Sequence, residues 1–306
     1  MFRYFIRRTL AVIPTILIVS LFVFMFVRFI PGDPARRVAG ADASLEDVEN
    51  IRESLGLNKS VPQQYKDYMS GLLRGDMGTS LKTKRPVSYE IGQRYMNTVR
   101  LTLVSLLWSV IAGVLIGVTS GRNRSKWQDY TGMTLAVSGI SVPSFWLGLM
   151  LISVFSVNLK WFPTVGADGW KSLVLPSITL GASVAAIIAR FTRSSVIEIL
   201  KEDYVRTARA KGLKERTIIW KHVFRNSMIA VVTVVGLQFG FLLGGSVVTE
   251  SVFAYPGLGS LLIDSVEFRD YPMIQSLILI FSLHFIVINL GIDLLYAGLN
   301  PEIKLK

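Results

Sequence analysis

The chain alternates between long apolar runs and short charged stretches. Uncharged segments lie at 9–27, 101–121, 130–159, 172–189, 226–249 and 271–292. About 20 helical residues cross the roughly 30 Å of hydrocarbon in a bilayer, so the pattern predicts an all-α membrane protein with six transmembrane helices. Segment 251–263 is also uncharged but short, and carries Pro256, Gly257 and Gly259; it predicts a re-entrant or interfacial loop. Pro14 and Pro143 predict kinks in the first and third spans. Beyond Ser194, Ile197, Leu200, Tyr204 and Ala208 recur at steps of three, four and four, which predicts a helix with a narrow apolar face. On that helix Glu202 stands four residues before Arg206, an ion-pair spacing. Gly212 supplies a stop after Lys211, and a second short helix is expected from Lys214 to Phe224.

Composition agrees with a membrane class: 51% of residues are hydrophobic, and 18% are charged, against about a quarter in soluble domains. Mean hydropathy is +0.48. The net charge of +12 needs no nucleic acid, because Lys and Arg mark the loops held in the cytoplasm. With the N-terminus inside, the inner set holds Arg3, Arg7, Arg8, Arg122, Arg124, Lys126, the ten basic residues from Arg190 to Arg225, Lys304 and Lys306. The short outer loops hold Lys160, Lys171 and Arg269, so both termini are expected in the cytoplasm. The basic N-terminus superficially resembles a signal peptide, but the run after it is long enough to span and no small-residue cleavage site follows. Cysteine is absent, and His222 and His284 are too few for a metal site without carboxylates. The expected division is 1–97, a first helix plus a long extracytoplasmic region; 98–300, a five-helix core with a cytoplasmic loop at about 194–225; and 301–306, a cytoplasmic tail.

Small-residue ladders at Gly113, Gly117, Gly121 and at Gly236, Gly240, Gly244 point to close helix packing, either within the chain or against a second subunit. Arg28 and Arg100 stand where they can snorkel to headgroups. Asp293 suits an interfacial ion pair, and His284 a hydrogen-bonded packing role rather than a proton relay. Ser141, Gln238 and Asn289 are candidate path-lining residues, weighed against interhelical hydrogen bonding. At the tip of the basic loop, Thr207, Ala208, Ala210 and Gly212 are small enough for a helix to enter a groove on another protein. The alternative is a loop whose charge only anchors it to anionic lipid.

These residues carry a resemblance. Glu202, Asp203, Tyr204, Val205, Arg206, Thr207, Ala208, Arg209, Ala210, Lys211 and Gly212, followed by His222, Asn226 and Ser227, resemble the "EAA" loop of ABC-importer permeases. The form is similar to that of the dipeptide, oligopeptide, nickel and glutathione group, with Arg206-Thr207-Ala208 standing where the general pattern has Glu-Ala-Ala. Pro31-Gly32-Asp33-Pro34, Gly75-Asp76-Met77-Gly78-Thr79-Ser80 with Pro86-Val87, Ser141-Val142-Pro143-Ser144-Phe145, Pro256-Gly257-Leu258-Gly259 and Arg269-Asp270-Tyr271-Pro272 look like the first permease subunit of such systems. Thr164-Val165-Gly166-Ala167-Asp168, with the short loop around it, most resembles the glutathione branch.

The resemblance implies a type I ABC importer permease fold in a bacterial or archaeal cytoplasmic membrane. It implies that the loop is a coupling helix docking into a cytoplasmic ATPase. Implied partners are a second homologous permease, two ABC ATPase subunits, an extracytoplasmic solute-binding protein and the lipid bilayer. The cargo is expected to be peptide-like, with a nickel or metal-chelate importer as the alternative within the group. No Gly-x-x-x-x-Gly-Lys-Ser/Thr occurs, so this chain is expected to be no enzyme and to bind no cofactor, ATP and magnesium belonging to the partner ATPases. An ion-coupled secondary transporter or channel is the competing class; it typically needs carboxylates at mid-membrane, which the six spans lack. A membrane scaffold without transport would have no use for the small-residue tip.

Overall fold

The computed structural model describes residues 2–29, 32–40 and 42–299, with the side chains of 2–11, 229–230 and 293–299 outside that description. Pro31, Lys304, Lys306 and the side chains of Arg3, Arg7, Arg8 and Asp293 therefore lie outside the described residues. The described residues are helical, with one isolated antiparallel bridge, Thr79 to Pro86. The helices are α1 (Phe2–Arg28), α2 (Pro34–Ala39), α3 (Leu45–Ser54), α4 (Val61–Leu73), α5 (Val87–Arg122), α6 (Trp127–Ser141), α7 (Ser144–Leu151), α8 (Lys171–Ile199), α9 (Asp203–Ala210), α10 (Glu215–Thr217), α11 (Phe224–Val252), α12 (Leu258–Phe268) and α13 (Tyr271–Leu299). Widened π turns follow α7 at Ile152–Asn158 and precede α11 at Ile218–Val223.

Among the described residues, four helices are long and apolar enough to cross a membrane: α5, α8, and the Val231–Val252 and Tyr271–Ile292 stretches of α11 and α13. The pair of α6 with Ser144–Asn158 is apolar enough together but bent by 104°, the geometry of a broken span or a re-entrant loop. The expected kink at Pro143 is thus a full break. Val142 preceding it is extended (φ −89°, ψ 124°), as a residue before proline prefers, and α7 restarts with Pro143 as its cap. Pro14, by contrast, lies inside a continuous α1, whose apolar part is Val12–Arg28. The loop expected at 251–263 is a turn followed by α12.

Two compact units divide the chain, one of Val99–Tyr255 with Val287–Lys306, the other of Phe2–Thr98 with Pro256–Ile286. The core of the first gathers Leu101, Leu175, Leu180, Val184, Ile188 and Leu242. Within it α5 approaches α8 closely. A Cβ on Gly113 would lie 2.7 Å from the Ala185 carbonyl, one on Gly117 2.4 Å from Thr192 Cβ, and one on Gly121 2.8 Å from Val196 Cγ1. The first ladder is therefore packing within the chain. In the second ladder Gly236 abuts Ile292, whereas a Cβ on Gly244 would meet open space.

The second unit packs Val87 and Ile91 of α5 against Leu258, Leu261, Met273 and Leu277. Those two residues explain why α5 begins fourteen residues before the apolar run: one face is buried although Glu90 and Arg94 interrupt the hydropathy. The segments resembling permease motifs meet here. Buried Asp270 accepts hydrogen bonds from Ser80 Oγ at 2.5 Å and from the Lys82 and Met273 amides. Gly78, at φ +82°, approaches Pro272. His284 holds Ile280 O through Nδ1 at 2.7 Å and Tyr95 Oη through Nε2 at 2.5 Å, a packing role. Arg28 donates to Phe24 O at 2.6 Å and to Gln64 Oε1.

Gly117→Val is expected to destabilise the detergent-purified chain by about 1–3 kcal/mol through overpacking. Gly244→Ala should leave it unchanged or slightly firmer, since alanine favours the helix and meets nothing. Thermal unfolding of both variants checks the contrast.

Candidate functional site: the basic loop

The helix expected from Ser194 through Lys211 is two helices. Leu200–Glu202 form a turn after α8, and α9 starts with Glu202 at its cap, whose carbonyl receives the Val205 and Arg206 amides. Glu202 consequently stands outside the helix and does not pair with Arg206. Arg206 lies 3.6 Å from Asp203 instead, both widely exposed, a contact worth little. The apolar face also differs: Val205 and Ala208 are buried, while Tyr204 is exposed and accepts a 2.8 Å hydrogen bond from Asn226 Nδ2. Val205 and Ala208 pack on Val118, Val196, Ile218, Ile219 and Val223. Ala208 is therefore part of the seat of α9 and not of its outward tip.

The stop at Gly212 has a clear cause. Gly212 takes φ +73°, its amide donates to Arg209 O, and the Leu213 amide donates to Ala208 O. This pair of bonds closes the helix in a Schellman motif, which needs a residue at ease in the left-handed region. Arg209 Nε then clamps Glu215 Oε1 at 2.7 Å across the turn. The Arg209 guanidinium holds the Glu215 carboxyl below the usual carboxylate range. That contribution is fully present above the ordinary range and is lost only as pH falls through the lowered folded value. From Glu215 the chain passes through α10 and the π turn, which carries half-buried His222, straight into α11.

The outward surface of α9 and its turn consists of Asp203, Tyr204, Arg206, Thr207, Arg209, Ala210, Lys211 and Gly212. Behind it sits an ion pair that sequence reading missed. Asp129 at the start of α6, buried, accepts from Arg193 Nε at 2.6 Å and Nη2 at 2.7 Å, and from the Ser125 amide at 3.0 Å. Asp129 adjoins a predicted span and Arg193 ends one, so each reads as a boundary charge; only the fold shows that they pair. Glu250, which directly follows the uncharged run 226–249, is fully buried near the end of α11. Of the path candidates, Ser141 is exposed and donates to Val137 O of its own helix, while Gln238 and Asn289 are half-buried on α11 and α13. Among the described residues no hydrogen bond joins the three.

An all-helical membrane chain with a short, firmly seated helix on a basic loop is the architecture of a transporter's membrane subunit. The chain belongs to the family described as binding-protein-dependent transport system inner membrane component, which matches residues 113–305; the N-terminal model of the same family matches 1–102. It is 56% identical over 306 residues, the whole of both chains, to the glutathione transport system permease protein GsiC of Pectobacterium atrosepticum. Its identity to the GsiC proteins of Escherichia coli K12 and Salmonella typhimurium is 55% and 54%, again over both full lengths. Among solved structures it resembles the inward-facing MetNI methionine ABC transporter (TM-score 0.59, 18% identity, 69% of this chain and 97% of that one). A similar likeness holds for an amino acid ABC transporter (TM-score 0.57, 15% identity, 69% and 94%). The fold is that of type I ABC importer permeases, and the chain is a multi-pass membrane permease component, not an enzyme. These curated relatives are bacterial; nothing supports an archaeal source.

Ala208→Trp should unseat α9, because the new ring has no room between Val205 and Ile218; Gly212→Ala should cost about 1 kcal/mol through its positive φ. Hydrogen exchange across 203–217 should rise in both and most in the first. Asp129→Asn, leaving Arg193 without its charge partner, is expected to lower stability by about 3 kcal/mol, read as a fall in melting temperature.

Proposed function

We propose that this chain is one of two related permease subunits that together form the path of an ATP-driven importer for a peptide-like substrate: glutathione, a dipeptide or an oligopeptide. The names of its full-length relatives support glutathione as the first substrate to test. Two cytoplasmic ATPase subunits would hold the permeases through loops like that around α9, and an extracytoplasmic solute-binding protein would deliver cargo. ATP and magnesium belong to the ATPases, and this chain binds no cofactor.

The observation that carries the mechanism is the two-sidedness of α9. Its inner face, Val205 and Ala208, is locked onto α5, α8 and the π turn, while its outer face is polar and exposed. A helix so seated moves as a rigid body with the spans behind it. ATPases that grip it differently with and without ATP would bias the path between inward and outward access. Six spans with both termini cytoplasmic fit this scheme, the four long helices and the bent pair being joined by the 27-residue α1.

In proteoliposomes holding the complete complex, glutathione uptake is expected to require ATP. Uptake driven by a proton or sodium gradient without the ATPases would overturn the proposal. Thr207→Trp, on the outer face, should leave the permease folded and cut uptake per ATP hydrolysed by about tenfold; unchanged coupling would remove α9 as the docking element.

A further inference from the structure

The second unit holds a cavity of about 350 Å³. That is the small end of the range for ligand sites. It lies where α1 ends, α3 turns into α4, and α13 begins. Its assignment to the outer membrane face rests on the orientation proposed above; its depth at the ends of two apolar helices does not.

Two polar groups, Arg28 and Gln275, line it with capacity to spare. Arg28 has five N–H donors, of which one goes to Phe24 O and one to Gln64 Oε1. Its guanidinium lies over the Phe24 ring, 3.5 Å from the centroid, and has no carboxylate partner among the described residues. Tyr68 forms part of the wall through its ring; its hydroxyl is shielded from the cavity and has no hydrogen-bond partner among the described residues. Gln275, 7% exposed, makes no hydrogen bond with the described residues. A largely buried amide without a partner forfeits about 1–3 kcal/mol, so a ligand that completes it is favoured.

The charge balance narrows the ligand. Lys59 and Asp67 at the rim pair at 2.8 Å and cancel, leaving the single positive charge of Arg28. Leu55, Leu57 and Leu81 supply apolar wall between the polar groups. The fitting ligand carries one negative charge, several acceptor oxygens and an apolar part, and occurs at the level where helices leave the hydrocarbon. We propose that this cavity binds the phosphodiester headgroup of a membrane phospholipid, with Arg28 as charge partner and Gln275 as hydrogen-bonding partner. The bound lipid would brace α1 and the α3–α4 corner against the start of α13.

The test uses the purified full chain in detergent, titrated with dioctanoyl phosphatidylglycerol and read by native mass spectrometry. Saturable binding is expected, weakened about tenfold in Gln275→Leu and abolished in Arg28→Gln. Gln275→Leu is the decisive variant. It removes an amide that makes no hydrogen bond with the described residues, so a merely structural glutamine would keep its melting temperature and lose no lipid; Tyr68→Phe, whose hydroxyl the cavity does not reach, should bind as the unaltered chain does. Lack of saturable binding, or undiminished binding by Gln275→Leu, would overturn the proposal. Displacement by inorganic phosphate at concentrations matching the lipid would overturn the lipid assignment in favour of a free anion. ATP and partner subunits are absent from this measurement, so its failure and that of the transport reading are separate results.

Discussion

The approach of α5 to α8 is the contact on which the functional loop depends. In lipid there is no hydrophobic force to drive helices together, so close van der Waals packing and hydrogen bonds must do it. Three glycines spaced by four residues let α8 lie so near that no side chain fits between, with the Thr192 and Val196 side chains filling the space above Gly117 and Gly121. Ser109 Oγ adds hydrogen bonds to its own helix and across to Gly181 O at 2.8 Å. This rigid pair presents Val118 and Val196 at one end, and these are the residues on which α9 sits. The loop thus inherits its position from a helix contact begun well inside the membrane.

The apolar middles of the spans were legible because lipid tolerates few charges, and the run lengths express that directly. Helix ends were not. Glu90 and Arg94 break the hydropathy, yet Val87 and Ile91 on the opposite face are buried, so α5 continues. Arg190 and Arg193 stop the fourth apolar run in the same way, while α8 goes on to bury Val196. A hydropathy reading averages over a helix; packing acts on one face of it.

Within the loop, Gly212 was legible because a positive φ has few residues that suit it. The turn at Leu200–Glu202 was hidden because nothing there resembles a breaker, and a step of four across it imitated a continuous helix. That one break rotates α9 relative to α8, which sends Ala208 inward, turns Tyr204 outward and takes Glu202 away from Arg206. The glycine and proline motifs of the second unit could be recognised but not explained from sequence, since their reason is long-range: Ser80 and Asp270 bond across 190 positions.

The basic loop also joins two readings that the sequence held apart. Charge serving only to set orientation, or to hold a loop to anionic lipid, can point anywhere. Here Arg193 is committed inward to buried Asp129, and Arg209 to Glu215 across the turn. Lys211 and Lys214 stay exposed beyond the helix stop. Part of the charge therefore shapes the loop and part remains on its surface. Such a division suits an element that must hold its form while a partner grips its outer side, and it leaves the positive-inside bias intact, because that bias counts the charges wherever they point.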